Sequence, residues 1–134
     1  MKKIRLLLVG FGPRGKIWAK AIKKNTKTEL VGICDINKDL KHQNPKNVIF
    51  FHELDSALSY LEPDAVILST PPFNRMQDLK VCAKFKLPVL VEKPLTTNLE
   101  EAKRQIHFMN RHKLLLFVGL NFRYLPTTLG KIKL

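Results

Sequence analysis

Three glycines within one hexapeptide, Gly10-Phe11-Gly12-Pro13-Arg14-Gly15, form the first stretch of this 134-residue sequence whose residue types and spacing could do chemistry. In a GxGxxG loop between a strand and a helix, the first glycine permits a tight turn. The second lets the backbone approach a pyrophosphate, and the third lets the helix pack closely on the strand. The helix then offers unpaired N–H groups and its positive dipole end to the phosphates. Pro13 suits this place because the first helical turn needs no backbone donor there. Asp35, twenty residues beyond Gly15, falls where an acidic side chain accepts hydrogen bonds from an adenosine ribose. The lesser alternative is that it caps a short helix starting near Asn37. A carboxylate at that place repels a 2′-phosphate and so favours NAD, while Lys38 nearby would suit NADP.

Three further clusters follow. Ser69-Thr70-Pro71-Pro72 is a hydroxyl-bearing, proline-stiffened segment that could line the middle of a dinucleotide or simply start a helix. Glu92-Lys93-Pro94 places two opposite charges at the mouth of an apolar run. Lys93 could polarise a substrate oxygen or relay a proton if partly buried, or the two could form a surface ion pair. Asn121-Phe122-Arg123-Tyr124-Leu125-Pro126 could enter the same crevice.

The elements that would position these clusters alternate. Continuous apolar runs of the kind found in a parallel sheet covered on both faces are expected at Ile4–Val9, Leu30–Cys34, Val48–Phe51, Ala65–Ser69, Val89–Val91 and Leu114–Val118. Helical spacing is expected from Arg14 to Asn25, with Ile17, Trp18, Ala21 and Ile22 inward, and at Leu54–Leu61. A short helix or turn falls near Asn37–His42. Asn74–Phe85 follows, with Met76, Leu79 and Ala83 on one face. Thr97 and Glu100 match a capping box, ahead of a helix with Leu99, Ala102, Ile106 and Met109 as its inner face. Six strands joined by helical crossovers predict an α/β fold, a doubly wound parallel sheet of order 3-2-1-4-5-6. In such a sheet the ligand crevice lies beyond the carboxyl ends of the strands, where every cluster named above falls.

Bulk properties fit one soluble domain. Hydrophobic residues make up 45% and charged residues 26%, which argues against disorder. No apolar run approaches the ~20 residues of a membrane span. The basic start lacks a small-residue cleavage site, since Gly10–Gly15 follows it, and the expectation is a cytoplasmic protein. Cys34 and Cys82 form no CxxC pair and are expected as small buried thiols; the four histidines lack metal-ligand spacing, so no metal is expected. The formal charge is +13 and uneven: residues 1–51 hold twelve Lys/Arg against three Asp/Glu, a net +9. Such a surface can attract nucleic acid or an acidic partner, can simply be solvated, and would help recruit a pyrophosphate. Nucleic acid is not the favoured partner.

Taken together, GFGPRG at 10–15, CDIN at 34–37, STPP at 69–72, EKP at 92–94 and NFRYLP at 121–126 resemble, in order and spacing, the Gfo/Idh/MocA oxidoreductases. The resemblance covers essentially the whole chain and implies NAD(P)-dependent oxidation or reduction at a hydroxyl or carbonyl carbon of a sugar, cyclitol or related compound. By matching position it implies that the loop of Gly10, Phe11, Gly12, Pro13, Arg14 and Gly15 lies under the pyrophosphate and that Asp35 meets the adenosine ribose. Ser69, Thr70, Pro71 and Asn121 would line the cofactor. Glu92 and Lys93 would lie near the nicotinamide ribose and substrate, with Lys93 catalytic. The sequence departs from the family at Arg75, where many members carry His. The family also continues into a second α/β domain that holds most substrate contacts. Residues 1–134 are expected to be the cofactor domain alone, with that second domain absent and independent turnover doubtful. The alternatives are a free-standing dinucleotide-binding module, a non-catalytic partner of another chain or homo-oligomer, and a basic protein that has lost cofactor binding.

Overall fold

In a computed structural model, which describes residues 2–130, six strands form a single parallel sheet of order β3-β2-β1-β4-β5-β6. They are β1 (Ile4–Val9), β2 (Thr28–Cys34), β3 (Ile49–Phe51), β4 (Ala65–Leu68), β5 (Val89–Glu92) and β6 (Leu116–Gly119). The crossovers carry α1 (Pro13–Lys24), α2 (Leu54–Leu61), α3 (Arg75–Lys84) and α4 (Leu99–Arg111). The expected strand order and fold class are both found.

Register explains how distant clusters meet. Val9 lies opposite Cys34 on one side and Leu68 on the other; Leu68 lies opposite Val91, and Val91 opposite Val118. Because the strands are parallel and end level, the residues at or just beyond their ends, Gly10, Asp35, Ser69 and Glu92, emerge along one edge. The central strands can be apolar throughout because both their faces are covered. Leu7 and Leu8 are both fully buried although they point to opposite sides. On one side Leu7, Val66, Leu68 and Val91 pack with Ala57, Leu58 and Leu61 of α2, Leu79 and Cys82 of α3, and Met109 of α4. On the other side Leu8, Ile33 and Ile67 pack with Ala19 and Ile22 of α1 and with Phe11.

That second side is less completely covered. In β6, Leu116 and Val118 face the core, whereas Phe117 between them is 55% exposed and Leu115 just before is 62% exposed. Strand alternation therefore leaves an apolar stripe open at the β6 edge, on the α1 side.

Several sequence expectations shift. The inner face of α1 is Gly15, Ala19 and Ile22 rather than Ile17 and Ala21, with Gly15 in close contact with the Gly10 carbonyl. The segment near Asn37–His42 is a 3-10 helix, Lys38–Gln43, capped by the Asn37 side chain. The sixth strand begins at Leu116, not Leu114. The cap of α4 is Asn98, whose side chain accepts from the Glu101 N–H, in place of the expected Thr97 and Glu100 box. With it, the inner face of α4 becomes Gln105 and Met109, while Leu99 and Ile106 are exposed. A short helix turn at Asn121–Tyr124 and α5 (Pro126–Leu129) end the described chain.

Candidate functional site

The glycine loop is built as its spacing requires, each glycine constrained differently. Gly10 has φ +88°, and a Cβ there would lie 2.8 Å from the Ser69 carbonyl carbon and 2.9 Å from the Thr70 nitrogen. It is the point at which the chain leaving β1 passes the chain leaving β4. A Cβ on Gly15 would lie 2.0 Å from the Gly10 carbonyl oxygen, so α1 can rest on the loop only without a side chain there. Gly12 is the opposite case, with nothing within 4 Å of a Cβ; its surface is open. Pro13 occupies the first helical position. Phe11 contributes its backbone to the loop, while its ring is 2% exposed in the core beneath.

Asp35 braces this loop. One carboxylate oxygen accepts from the Phe11 N–H at 2.7 Å, the other from the Asn37 N–H at 2.8 Å. The second bond is the local turn that the capping alternative anticipates, although the cap itself is Asn37. Across the loop, Ser69 and Thr70 bring two hydroxyl oxygens, Oγ and Oγ1, that are buried without any hydrogen-bond partner. Buried polar atoms are ordinarily satisfied, so an unpaired pair calls for an explanation.

Glu92 is 5% exposed and is held by three donors. Arg14 Nε at 2.6 Å and Trp18 Nε1 at 2.8 Å reach Oε1, and the Lys93 N–H at 3.1 Å reaches Oε2. This corrects the surface-pair alternative for Glu92 and Lys93: the partner of the carboxylate is Arg14, from the glycine loop, which makes α1 and the end of β5 one unit. The Lys93 side chain is exposed at the cleft rim, so the partial burial considered for it is not found.

Arg75 is the residue whose position sequence reasoning registered only as a departure. It is 1% exposed at the start of α3. Its guanidinium donates to the carbonyls of Thr70 at 2.7 Å, Glu92 at 2.6 Å and Leu95 at 3.1 Å, and also to that of Pro94. Burial lowers its pKa, against the neighbouring carboxylates of Glu92 and Asp78, which favour the charge. Burial likewise raises the Asp78 pKa, with Arg75 opposing. Trp18 was also missed as a site residue; its helical spacing suggested only core packing. An indole N–H that must find an acceptor when partly buried was the available signal.

These residues line one cleft of about 1120 Å³ at the carboxyl edge of the sheet, a size suited to a small-molecule ligand. Gly10, Gly12, Pro13, Arg14, Asp35, Ser69, Thr70, Pro71, Glu92, Lys93 and Asn121 all reach it. Gly15 and the Phe11 side chain do not; they lie beneath it. Cys34 and Cys82 are buried free thiols, as expected, and burial pushes both up to about 12. Among the described residues no group of three or more His, Cys, Asp or Glu could hold a metal, and no helix is long and apolar enough to cross a membrane.

Residues 4–120 match the model of an oxidoreductase family with an NAD-binding Rossmann fold. The chain is 31% identical over 132 residues to glucose-6-phosphate 3-dehydrogenase of Bacillus subtilis, covering 93% of this chain and 35% of that protein. It is 29% identical over 124 residues to myo-inositol 2-dehydrogenase of Thermotoga maritima, covering 90% and 37%. Among solved structures it resembles the WlbA dehydrogenase of Bordetella pertussis, in complex with NADH and UDP-GlcNAcA. The TM-score is 0.88 and the identity 30%, over 96% of this chain and 40% of that one. The chain thus spans between 35% and 37% of the length of the two curated relatives named.

Proposed function

The chain belongs to the Gfo/Idh/MocA oxidoreductase family, with its NAD-binding Rossmann fold, and from that membership we propose that residues 1–134 are a domain that holds a nicotinamide dinucleotide for redox chemistry at a hydroxyl or carbonyl carbon of a sugar, cyclitol or related compound. The observation that carries this reading is the open surface of Gly12 in a cleft whose other wall is the Ser69–Thr70–Pro71 segment after β4. With nothing within 4 Å of a Cβ at Gly12, the pyrophosphate of a dinucleotide bound between those walls has room to lie on the backbone.

In this reading Gly10, Gly12, Pro13 and Arg14 cradle the phosphates, and Phe11 and Gly15 shape the loop from below. Asp35, fixed by two backbone donors, presents its remaining acceptor sites to the adenosine ribose. It disfavours a 2′-phosphate, so NAD is the preferred cofactor over NADP. Ser69, Thr70, Pro71 and Asn121 line the middle of the cofactor. Glu92, anchored by Arg14 and Trp18, sets the position of Lys93. Lys93, exposed at the rim, is the catalytic residue that meets the substrate oxygen. The bound nicotinamide supplies the acceptor or donor of hydride; the chain's own residues orient it and place the lysine. A second domain, in a longer chain or on a partner chain, supplies most substrate contacts.

Titration with NADH and, in parallel, NADPH tests the reading. Trp18 is the only tryptophan and is bonded to Glu92 at the cleft, so bound nicotinamide quenches it and receives its energy. Saturable NADH quenching with weaker NADPH quenching is expected. Absence of both from a folded chain would refute the reading.

A further inference from the structure

Arg75 has no assigned part in the cofactor and substrate contacts above, yet it is the largest fully buried side chain described, and it is charged. Burying a guanidinium is costly unless its donors are satisfied. Here the two terminal nitrogens are satisfied, and directionally, while Nε has no partner. One terminal nitrogen serves the carbonyls of Glu92, Pro94 and Leu95, all from the segment leaving β5. The other serves the carbonyl of Thr70, from the segment leaving β4. No other described side chain donates to both segments.

We propose that Arg75 is a positioning residue that draws the β4 and β5 exit segments around one planar guanidinium and so fixes the spacing between Thr70 and Lys93 in the cleft. Only a rigid fork of donors spans the two segments; a lysine ammonium is a single point and cannot. Its influence extends one step further, because Glu92 offers its backbone carbonyl to Arg75 and its carboxylate to Arg14 and Trp18. Displacing the Glu92 backbone therefore changes the Trp18 environment without touching Trp18. The effect on the dinucleotide rests on the function proposed above; the geometric part does not.

The test uses Arg75→Lys and Arg75→Ala beside the wild type. Expected for both is a folded protein with shifted Trp18 emission and faster amide exchange in residues 69–75 and 92–97, the rest unchanged. NADH affinity is expected to fall about tenfold or more, in line with the cost of small misplacements in a site. Millimolar guanidinium ion is expected to restore Trp18 emission and NADH affinity to Arg75→Ala, whereas urea and sodium chloride are not. A merely stabilising arginine would give lower thermal midpoints with none of these local signatures. If Arg75→Ala does not fold, Arg75→Lys alone decides. Wild-type emission, exchange and affinity in folded Arg75→Lys overturn the proposal. Should the wild type itself not bind NADH, the functional reading fails, and emission and exchange alone decide whether Arg75 positions the two segments.

Discussion

Gly10 and Gly15 exclude a side chain because of the fold, and Gly12 has no such reason. The chain crosses the Ser69–Thr70 backbone at Gly10 with positive φ, and α1 sits on the Gly10 carbonyl at Gly15. Gly10→Ala should therefore cost about 1–3 kcal/mol from its conformation alone, before any clash. Gly15→Ala should lower the thermal midpoint further. Gly12→Ala should leave the midpoint unmoved, since a methyl there meets nothing, and should weaken only cofactor binding. A matching midpoint loss in all three would show that Gly12 is structural as well. The thiols give a second residue-scale prediction. Cys34 and Cys82 are raised from 9.0 to about 12 by burial, first of all, with nearby carboxylates adding to it. Both should resist alkylation near neutral pH until the protein is unfolded. The sign for stability follows from linkage: the folded state retains thiol protons that the unfolded state releases, so stability falls as pH rises from 9.0 towards about 12. Replacing both cysteines with alanine should flatten that fall in a denaturation series taken across the alkaline range.

At the scale of elements, the strands and their order were legible because a buried parallel sheet writes itself as apolar runs separated by turn residues. Helix faces were less legible. In α4 two overlapping patterns compete, Thr97 with Glu100 and Asn98 with Glu101, and both have the spacing of a cap. The structure takes Asn98, and beside the expected Met109 it is Gln105 that turns inward, its amide donating to Glu101. Leu99 and Ile106 are left outside as a consequence. Asn98→Ala should destabilise by about 1 kcal/mol, as loss of a capping side chain does. Thr97→Ala should fall within about 0.5 kcal/mol, like a surface substitution. Equal effects in a urea series would restore the register expected from sequence. The site clusters themselves were readable by type and position, but their partners were not. The Arg14–Glu92 pair joins residues seventy-eight positions apart, and the four carbonyls around Arg75 are backbone atoms, which side-chain patterns cannot announce.

At the scale of the whole molecule, charge and an exposed apolar stripe each bear on the proposed function. The net charge is +13, and residues 1–51, which include the glycine loop, carry +9 of it. Attraction between such a field and a dinucleotide is screened by salt, so NADH affinity should decline as sodium chloride rises. Invariance to salt would mean that only local contacts matter. The exposed Leu115 and Phe117 form an apolar stripe at the β6 edge of the sheet, a surface that the second domain proposed here could cover.

The central claim is that the backbone around Gly12 holds the pyrophosphate of NAD(H), and calorimetric titration of wild type and Gly12→Val with NADH addresses it most directly. The prediction is one saturable site in the wild type and no measurable heat from a Gly12→Val protein whose thermal midpoint is unchanged. Equal binding by the two proteins, or none by a folded wild type, would contradict the account.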